Sequence, residues 1–198
     1  MKLYITEPSP FARRCRIVAR EKGLGDRIEE IIVDPYTDDQ ALVAVNPIVQ
    51  VPTLIADDGL PLTDSPVICE YLDSLAGQPI LLPTTGAERL RVRRIETLAD
   101  AALDVGVKLV IEKRRADGER SPSWMERWSR NMLRALDALE AQSLDGARPD
   151  MGVIAVGVAI RWIDFRHPEL EASASRPRLR ALSDELERRP SFQATRPG

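Results

Sequence analysis

The apolar positions change their spacing part-way along the chain. Up to Ala76 they fall in short runs broken by turn residues, and beyond it they recur every three or four residues. In the first part, Lys2 to Thr6 predicts a strand, and Ser9-Pro10-Phe11 opens a helix that runs to about Lys22, with Gly23 as its stop. Ile28 to Val33 predicts a second strand. After a connecting stretch, Thr53 to Ala56 and Leu60 to Thr63 flank Asp57-Asp58-Gly59, a turn signal that closes them into an antiparallel hairpin. Asp64-Ser65-Pro66 then predicts a helix start, with Ser65 as N-cap and Pro66 at the first helical position.

Past the Gly, Pro and Thr-rich stretch from Gly77 to Gly86 no strand pattern recurs. Val92, Ile95, Ala99, Ala102 and Leu109 mark one face of a long helix, which Gly106 is placed to bend. Trp128, Met132, Leu136 and Leu139 mark a second helix, and Leu179, Leu182 and Leu186 a later one. Val153 to Ile160 is apolar on all sides, as in a helix buried at the centre of a bundle. Two domains are therefore expected, over residues 1–77 and 84–198, the second all-helical.

Composition narrows the function classes. Of 198 residues, 28 are basic and 31 acidic, a balance that suggests neither nucleic acid nor an anionic membrane as partner. No apolar run reaches the ~20 residues of a membrane helix, and Met1 leads straight into the first strand, so a cytoplasmic location is expected. Cys15 and Cys69 sit inside predicted helices, which favours buried thiols over a disulfide. With His167 as the one histidine, neither a histidine-based metal site nor a Ser-His-Asp triad can be assembled, and a solvent-facing helix cap is its expected role.

The chemistry concentrates in NPIVQVPTLIADDGLPLTDSP, residues 46–66. Val51-Pro52 stands where a cis peptide would turn backbone groups outward. A helix N-terminus at Ser65 attracts a carboxylate, and the adjacent Asp64 can hold an ammonium, so together they suit the head of an amino acid. An ordinary capped helix after a hairpin also explains them. Ser9 before Pro10 has the same two readings, cap or ligand-facing hydroxyl.

The order strand, helix, strand, hairpin, helix matches the thioredoxin-like pattern, but Ser9 and Ala12 stand where that pattern carries a C-x-x-C pair, so no dithiol exists. With Ser9, Val51-Pro52 and Asp64-Ser65 in this order, the chain resembles the glutathione S-transferase family, in particular bacterial members with serine at the catalytic position. The likeness extends to Arg91 through Asp100, Ile154 through Arg166, and Arg189-Pro190-Ser191-Phe192. It implies an α/β thioredoxin-like N-terminal domain followed by an all-α helical-bundle C-terminal domain.

The resemblance also implies roles. Glutathione would be the co-substrate, with no metal, and a small electrophile or hydroperoxide would be the second substrate in a detoxifying reaction. Ser9 would be catalytic, donating to the glutathione sulfur, with Phe11 packed beside it. Val51 and Pro52 would take the cysteinyl backbone, Gln50 the glycyl end, and Asp64 and Ser65 the γ-glutamyl head. Arg13 and Arg14 offer positive charge on the first helix, with the orientation of each left open. Val107 and Ile111 would either wall the electrophile pocket or face the core or a partner subunit, and two subunits would form a homodimer. A binding protein of the same fold without turnover is the alternative. One departure stands out: Asp150 and Val153 replace the reciprocal cap of the buried helix, so Asp150 caps without the acidic return bond.

Overall fold

The computed structural model describes residues 1–196 and divides into two compact units, Met1–Leu82 with the C-terminal residues from Arg189, and Pro83–Arg188. The first unit begins with β1 (Lys2–Ile5), whose Leu3, Tyr4 and Ile5 are buried, and α1 (Pro10–Glu21). Ser9 caps α1, Pro10 takes its first position, and Gly23 leaves it at φ 68°, a left-handed turn that costs glycine little. β2 (Glu29–Ile32) follows, then a single helical turn, α2 (Gln40–Val43), in the stretch expected to be merely connecting. β3 (Thr53–Ile55) and β4 (Pro61–Thr63) form the hairpin, with Ala56 and Leu60 closing the turn through an N–H···O bond of 3.0 Å. α3 (Ser65–Ser74) completes the chain's α/β portion.

The four strands lie in the order β2-β1-β3-β4. β1 runs parallel to β2 and antiparallel to β3, and β3 antiparallel to β4. Their register fixes the site. Tyr4 stands beside Thr53 and Thr53 beside Thr63, so the chain leaves β1, enters β3 and leaves β4 at the same end of the sheet.

α1 packs on α3, and each helix contributes a fully buried thiol, Cys15 and Cys69, as expected from their apolar surroundings. The sequence pattern groups residues 189–196 with the helical part, but they pack on α1: Phe192 is fully buried, and Arg189 and Ser191 both donate to Glu21. Burial alone would push the Glu21 carboxyl up, yet these hydrogen bonds and the Arg189 charge hold it below the usual carboxylate range. Lys22, fully buried at its side chain, pairs with Asp73 at 2.8 Å, and Asp73 accepts the Leu81 and Leu82 N–H groups, tying down the Pro/Gly stretch.

The second unit is helical: α4 (Gly86–Lys113), α5 (Pro122–Glu140), α6 (Met151–Arg166) and α7 (Pro177–Leu186). α4 packs against both α5 and α6, and Met151 through Ile160 are buried on every side, as their unbroken apolarity predicts. Asp150 caps α6 by accepting the Val153 N–H at 2.9 Å, and its other oxygen pairs with Arg91 at 2.6 Å, so an arginine from α4 engages the cap where the acidic return bond is missing. Gly106 serves close packing: a Cβ there would stand 2.9 Å from the Trp162 ring. Among the described residues no helix is long and apolar enough to cross a membrane.

His167 overturns one expectation. It closes α6 as foreseen, but its ring is fully buried instead of facing solvent. Its Nε2 lies 3.0 Å from the Gly106 carbonyl, which can only accept, so Nε2 carries the proton and Nδ1 accepts from Lys113 Nζ at 3.0 Å. Burial, and then the Lys113 charge, push the imidazole below its ordinary 6.5. In the unfolded chain His167 protonates as pH drops through about 6.5, whereas in the fold it stays neutral; its contribution to stability is present above that pH and is lost below it. His167→Gln, which keeps an amide donor, is expected to flatten the fall of melting temperature between pH 7.5 and 5.5, measured by thermal scans of both proteins.

Candidate functional site

Three chain segments meet the common end of the sheet, and each carries residues singled out by sequence. The first is the β1–α1 connection. Ser9 N–H bonds Thr6 O at 3.0 Å, and Ser9 Oγ accepts the Ala12 N–H at 3.2 Å. That is the cap, but it uses only a lone pair; the half-buried Ser9 keeps its O–H to donate elsewhere. Cap and ligand-facing roles are therefore compatible. Phe11, half-buried, follows in the first turn.

The second segment, 46–52, is organised by Asn46, which is 1% exposed. Its Nδ2 donates to Gln50 O and Thr53 Oγ1, each at 3.0 Å, and its Oδ1 accepts the Ile48 N–H at 3.1 Å. Thr53 Oγ1 in turn donates to Gln50 O at 2.9 Å. With Gln50's carbonyl held twice, its amide side chain is left exposed and the chain passes through Val51 into a cis peptide at Pro52, itself buried. Among the described residues nothing hydrogen-bonds the Val51 N–H or C=O. An N–H and a C=O side by side at a strand entrance can pair with an extended peptide as a further strand would.

The third segment differs from expectation by one residue. Ser65 is not the N-cap of α3: it is the first helical residue, Pro66 the second, and Asp64 occupies the cap position. The reason is that Ser65's hydroxyl oxygen is taken by Arg14 Nη2, so it does not turn back to cap its own helix. Asp64 does not cap with its side chain either. It sits at φ 70°, exposed, and its carboxylate makes no hydrogen bond or ion pair within the described residues. A carboxylate beside a helix start offers complementary partners to an ammonium and a carboxylate on one ligand atom.

The two arginines part company. Arg14 reaches the start of α3, whereas Arg13 donates to Phe192 O at 3.2 Å and stacks over the Phe192 ring at 5.6 Å. Cys15 Sγ lies 3.9 Å from Ser65 O, so consecutive α1 residues grip Ser65 at its hydroxyl and its carbonyl. Arg14 and Asn46 are the residues to which sequence reading gave no definite part. Asn46 heads the motif but its contacts span seven residues of loop, and Arg14's partner lies 51 positions away. Among the described residues no group of three or more His, Cys, Asp or Glu side chains is placed to hold a metal ion.

The site lies within residues 8–75, which match the family described as glutathione S-transferase, N-terminal domain; residues 122–185 match the glutathione S-transferase, C-terminal domain. The chain belongs to the glutathione S-transferase family. It is 35% identical to the uncharacterized GST-like protein YibF of Escherichia coli (strain K12), over all of this chain and 98% of that protein. It is 27% identical to the maleylacetoacetate isomerase of Pseudomonas aeruginosa, over all of this chain and 96% of that one. Among solved structures it superimposes on a glutathione transferase family member from Pseudomonas fluorescens Pf-5 with bound glutathione, at TM-score 0.95 and 34% identity over 100% and 98% of the two chains. A glutathione S-transferase of Methylobacterium radiotolerans in complex with glutathione sulfonate matches at TM-score 0.91 and 33% identity, over 99% and 94%.

Asn46→Ala removes three hydrogen bonds from one buried side chain and leaves the Ile48 N–H without its acceptor. A loss of about 2–4 kcal/mol of stability is expected, measurable as a lower midpoint in urea unfolding of the transferase-family protein.

Proposed function

We propose that this protein binds glutathione at the common end of its sheet and activates the thiol as a thiolate for attack on small electrophiles or hydroperoxides. The observation that carries this reading is the unengaged Val51 backbone pair set between Ser9 on one side and Asp64-Ser65 on the other by the register of three strands. The glutathione-bound relatives support the ligand.

In this reading the cysteinyl backbone pairs with Val51, Pro52 shapes the entrance, and Gln50 hydrogen-bonds the glycyl carboxylate without neutralising it. Asp64 takes the γ-glutamyl ammonium and Ser65 the α-carboxylate. The sulfur then faces Ser9 and the start of α1. A free thiol with pKa about 8.5 is only about 3% ionised at pH 7, and a shift of ~2 units, about 2.7 kcal/mol, makes most of it thiolate. Ser9 supplies a hydroxyl donor, its oxygen already committed to the Ala12 N–H, and the first-turn amides of α1 add a partial positive charge. Serine stays neutral throughout: the nucleophile is the co-substrate.

Ser9→Ala should cut turnover at least tenfold and raise the pKa of bound glutathione while leaving its affinity nearly intact. Asp64→Ala should weaken glutathione binding by about 1–3 kcal/mol. Stopped-flow thiolate absorbance and calorimetry, with a panel of haloarenes, hydroperoxides and cis-enediones, test both; the last class is included because of the full-length likeness to a maleylacetoacetate isomerase. Binding of glutathione with no turnover on any member of the panel would favour a non-catalytic binding protein.

The same reading makes the protein a cytoplasmic homodimer that detoxifies its substrates. The second unit offers support for the dimer in Leu90 of α4, 71% exposed, with Leu98, Val105 and Val107 only partly covered. Light scattering at micromolar concentration is expected to give twice the 22.1 kDa of one chain.

A further inference from the structure

The buried run of α6 ends at Ile160, and from there one face of the helix carries Arg161 and Asp164. α7 packs against α6 and carries Arg180, Ser183 and Asp184 on one face of its own. The turn between the two helices is tied back by Asp164, whose Oδ1 accepts the Ser173 N–H at 3.1 Å. These six residues line a cavity of about 320 Å³ in the second unit, and none of them belongs to the site at the end of the sheet.

Arg161 and Asp164 stand three residues apart, and Arg180 and Asp184 four apart, the spacings at which ion pairs close along a helix. Neither pair closes. Among the described residues the side chains of Arg161, Arg180 and Asp184 make no hydrogen bond or ion pair, and that of Asp164 makes only the bond to Ser173. The charge order accounts for this, since a base placed before an acid along the helix is the weaker arrangement. Ser183, 7% exposed, lines the same cavity with no hydrogen-bond partner for its hydroxyl among the described residues. A buried hydroxyl left unpaired is costly, and a polar group entering the cavity relieves that cost.

The geometry points to a second binding site in this protein, between α6 and α7, for a small zwitterion: an amino acid or a short peptide with free ends. Arg161 and Arg180, one from each helix, offer forked N–H donors to a carboxylate, and the Ser183 O–H adds a donor from the buried wall. Asp164 and Asp184 offer negative charge and acceptor oxygens to an ammonium. The two signs balance, so a ligand carrying both gains at each end. A phosphate dianion would meet the two carboxylates along with the two arginines. The volume lies in the range of small-molecule cavities.

Amide NMR titration of the full chain tests this with four probes: L-alanine, L-alanyl-L-alanine, N-acetyl-L-alanine, which lacks the ammonium, and L-alaninamide, which lacks the carboxylate. Saturable shifts at the Ser173 and Ser183 amides are expected with alanine or the dipeptide, at least about tenfold tighter than with either single-charge analogue. Tighter binding of the dipeptide assigns the site to peptide ends, and equal or tighter binding of alanine to free amino acids. Arg161→Gln and Arg180→Gln, both at exposed positions, should each weaken the response about tenfold. Asp64→Ala should leave it unchanged, because an amino-acid head held at the end of the sheet would be lost with Asp64 instead. No saturable shift with either zwitterion, an equal response to all four probes, or full binding in both arginine variants would overturn the proposal. So would loss of the response in Asp64→Ala, or tighter binding of inorganic phosphate than of either zwitterion.

Discussion

The antiparallel register that sets Tyr4 beside Thr53 and Thr53 beside Thr63 is the constraint from which the site follows. The side-chain period of a strand is two, so a slip of one residue in β3 would exchange Thr53 and Leu54, both fully buried, between the two faces of the sheet. Leu3 and Leu54, paired and both fully buried, resist that slip. Because the register holds, the chain must exit β1 into Ser9, enter β3 through Val51-Pro52 and exit β4 into Asp64-Ser65 at one end of the sheet. Three segments, the first of them more than forty residues before the other two, become neighbours through the sheet itself.

Lone-pair accounting then decides what each neighbour can offer. Ser9 and Ser65 are both serines at helix starts, and in both the hydroxyl oxygen accepts from within the protein, from the Ala12 N–H in one case and Arg14 in the other. Each is left with an O–H to give. The donor differs, however: a backbone amide stands behind Ser9 and a buried guanidinium behind Ser65. Asn46 does for the middle segment what the helices do for the flanking ones, consuming the Gln50 carbonyl so that Val51 presents its pair alone.

Much of this was legible in the chain before any coordinates. Element order, the helix from Pro10 to Glu21 with its Ser9 cap, the hairpin around Asp57-Asp58-Gly59 and the buried helix after Asp150 are local patterns, and local patterns survive folding. What was missed depends on partners far away in sequence. Ser65 and Pro66 have the composition of an N-cap and first-turn pair, but Arg14 claims the hydroxyl and the helix begins a residue early. His167 before Pro168 reads as a surface helix end until Gly106 and Lys113, 61 and 54 residues upstream, supply its partners. The residues after Arg189 continue a helical pattern that says nothing about which body they join; Phe192 and the Glu21 contacts settle that. The match to the glutathione S-transferase domains supports the family and fold, whereas the role of each site residue still rests on the geometry around it.

Backbone strain marks the same segments. Val49 lies at φ 51° and Asp64 at φ 70°. Asp38 and Glu171 also have positive φ, and for Asp38 and Asp64 a short polar side chain makes the conformation cheaper. A β-branched residue has no such relief, and Val49 stands only two positions before Val51. Its N–H is held by Asn46 O at 2.9 Å, and its side chain packs on the Tyr4, Val33 and Leu42 cluster. The hydrophobic contact and the Asn46 bonds together offset a cost on the order of 1–3 kcal/mol. A relaxed backbone at Val49 would let the loop choose among several paths into Pro52. The strained one is over-determined from both sides, so the fold itself holds the Val51 N–H and C=O in one orientation.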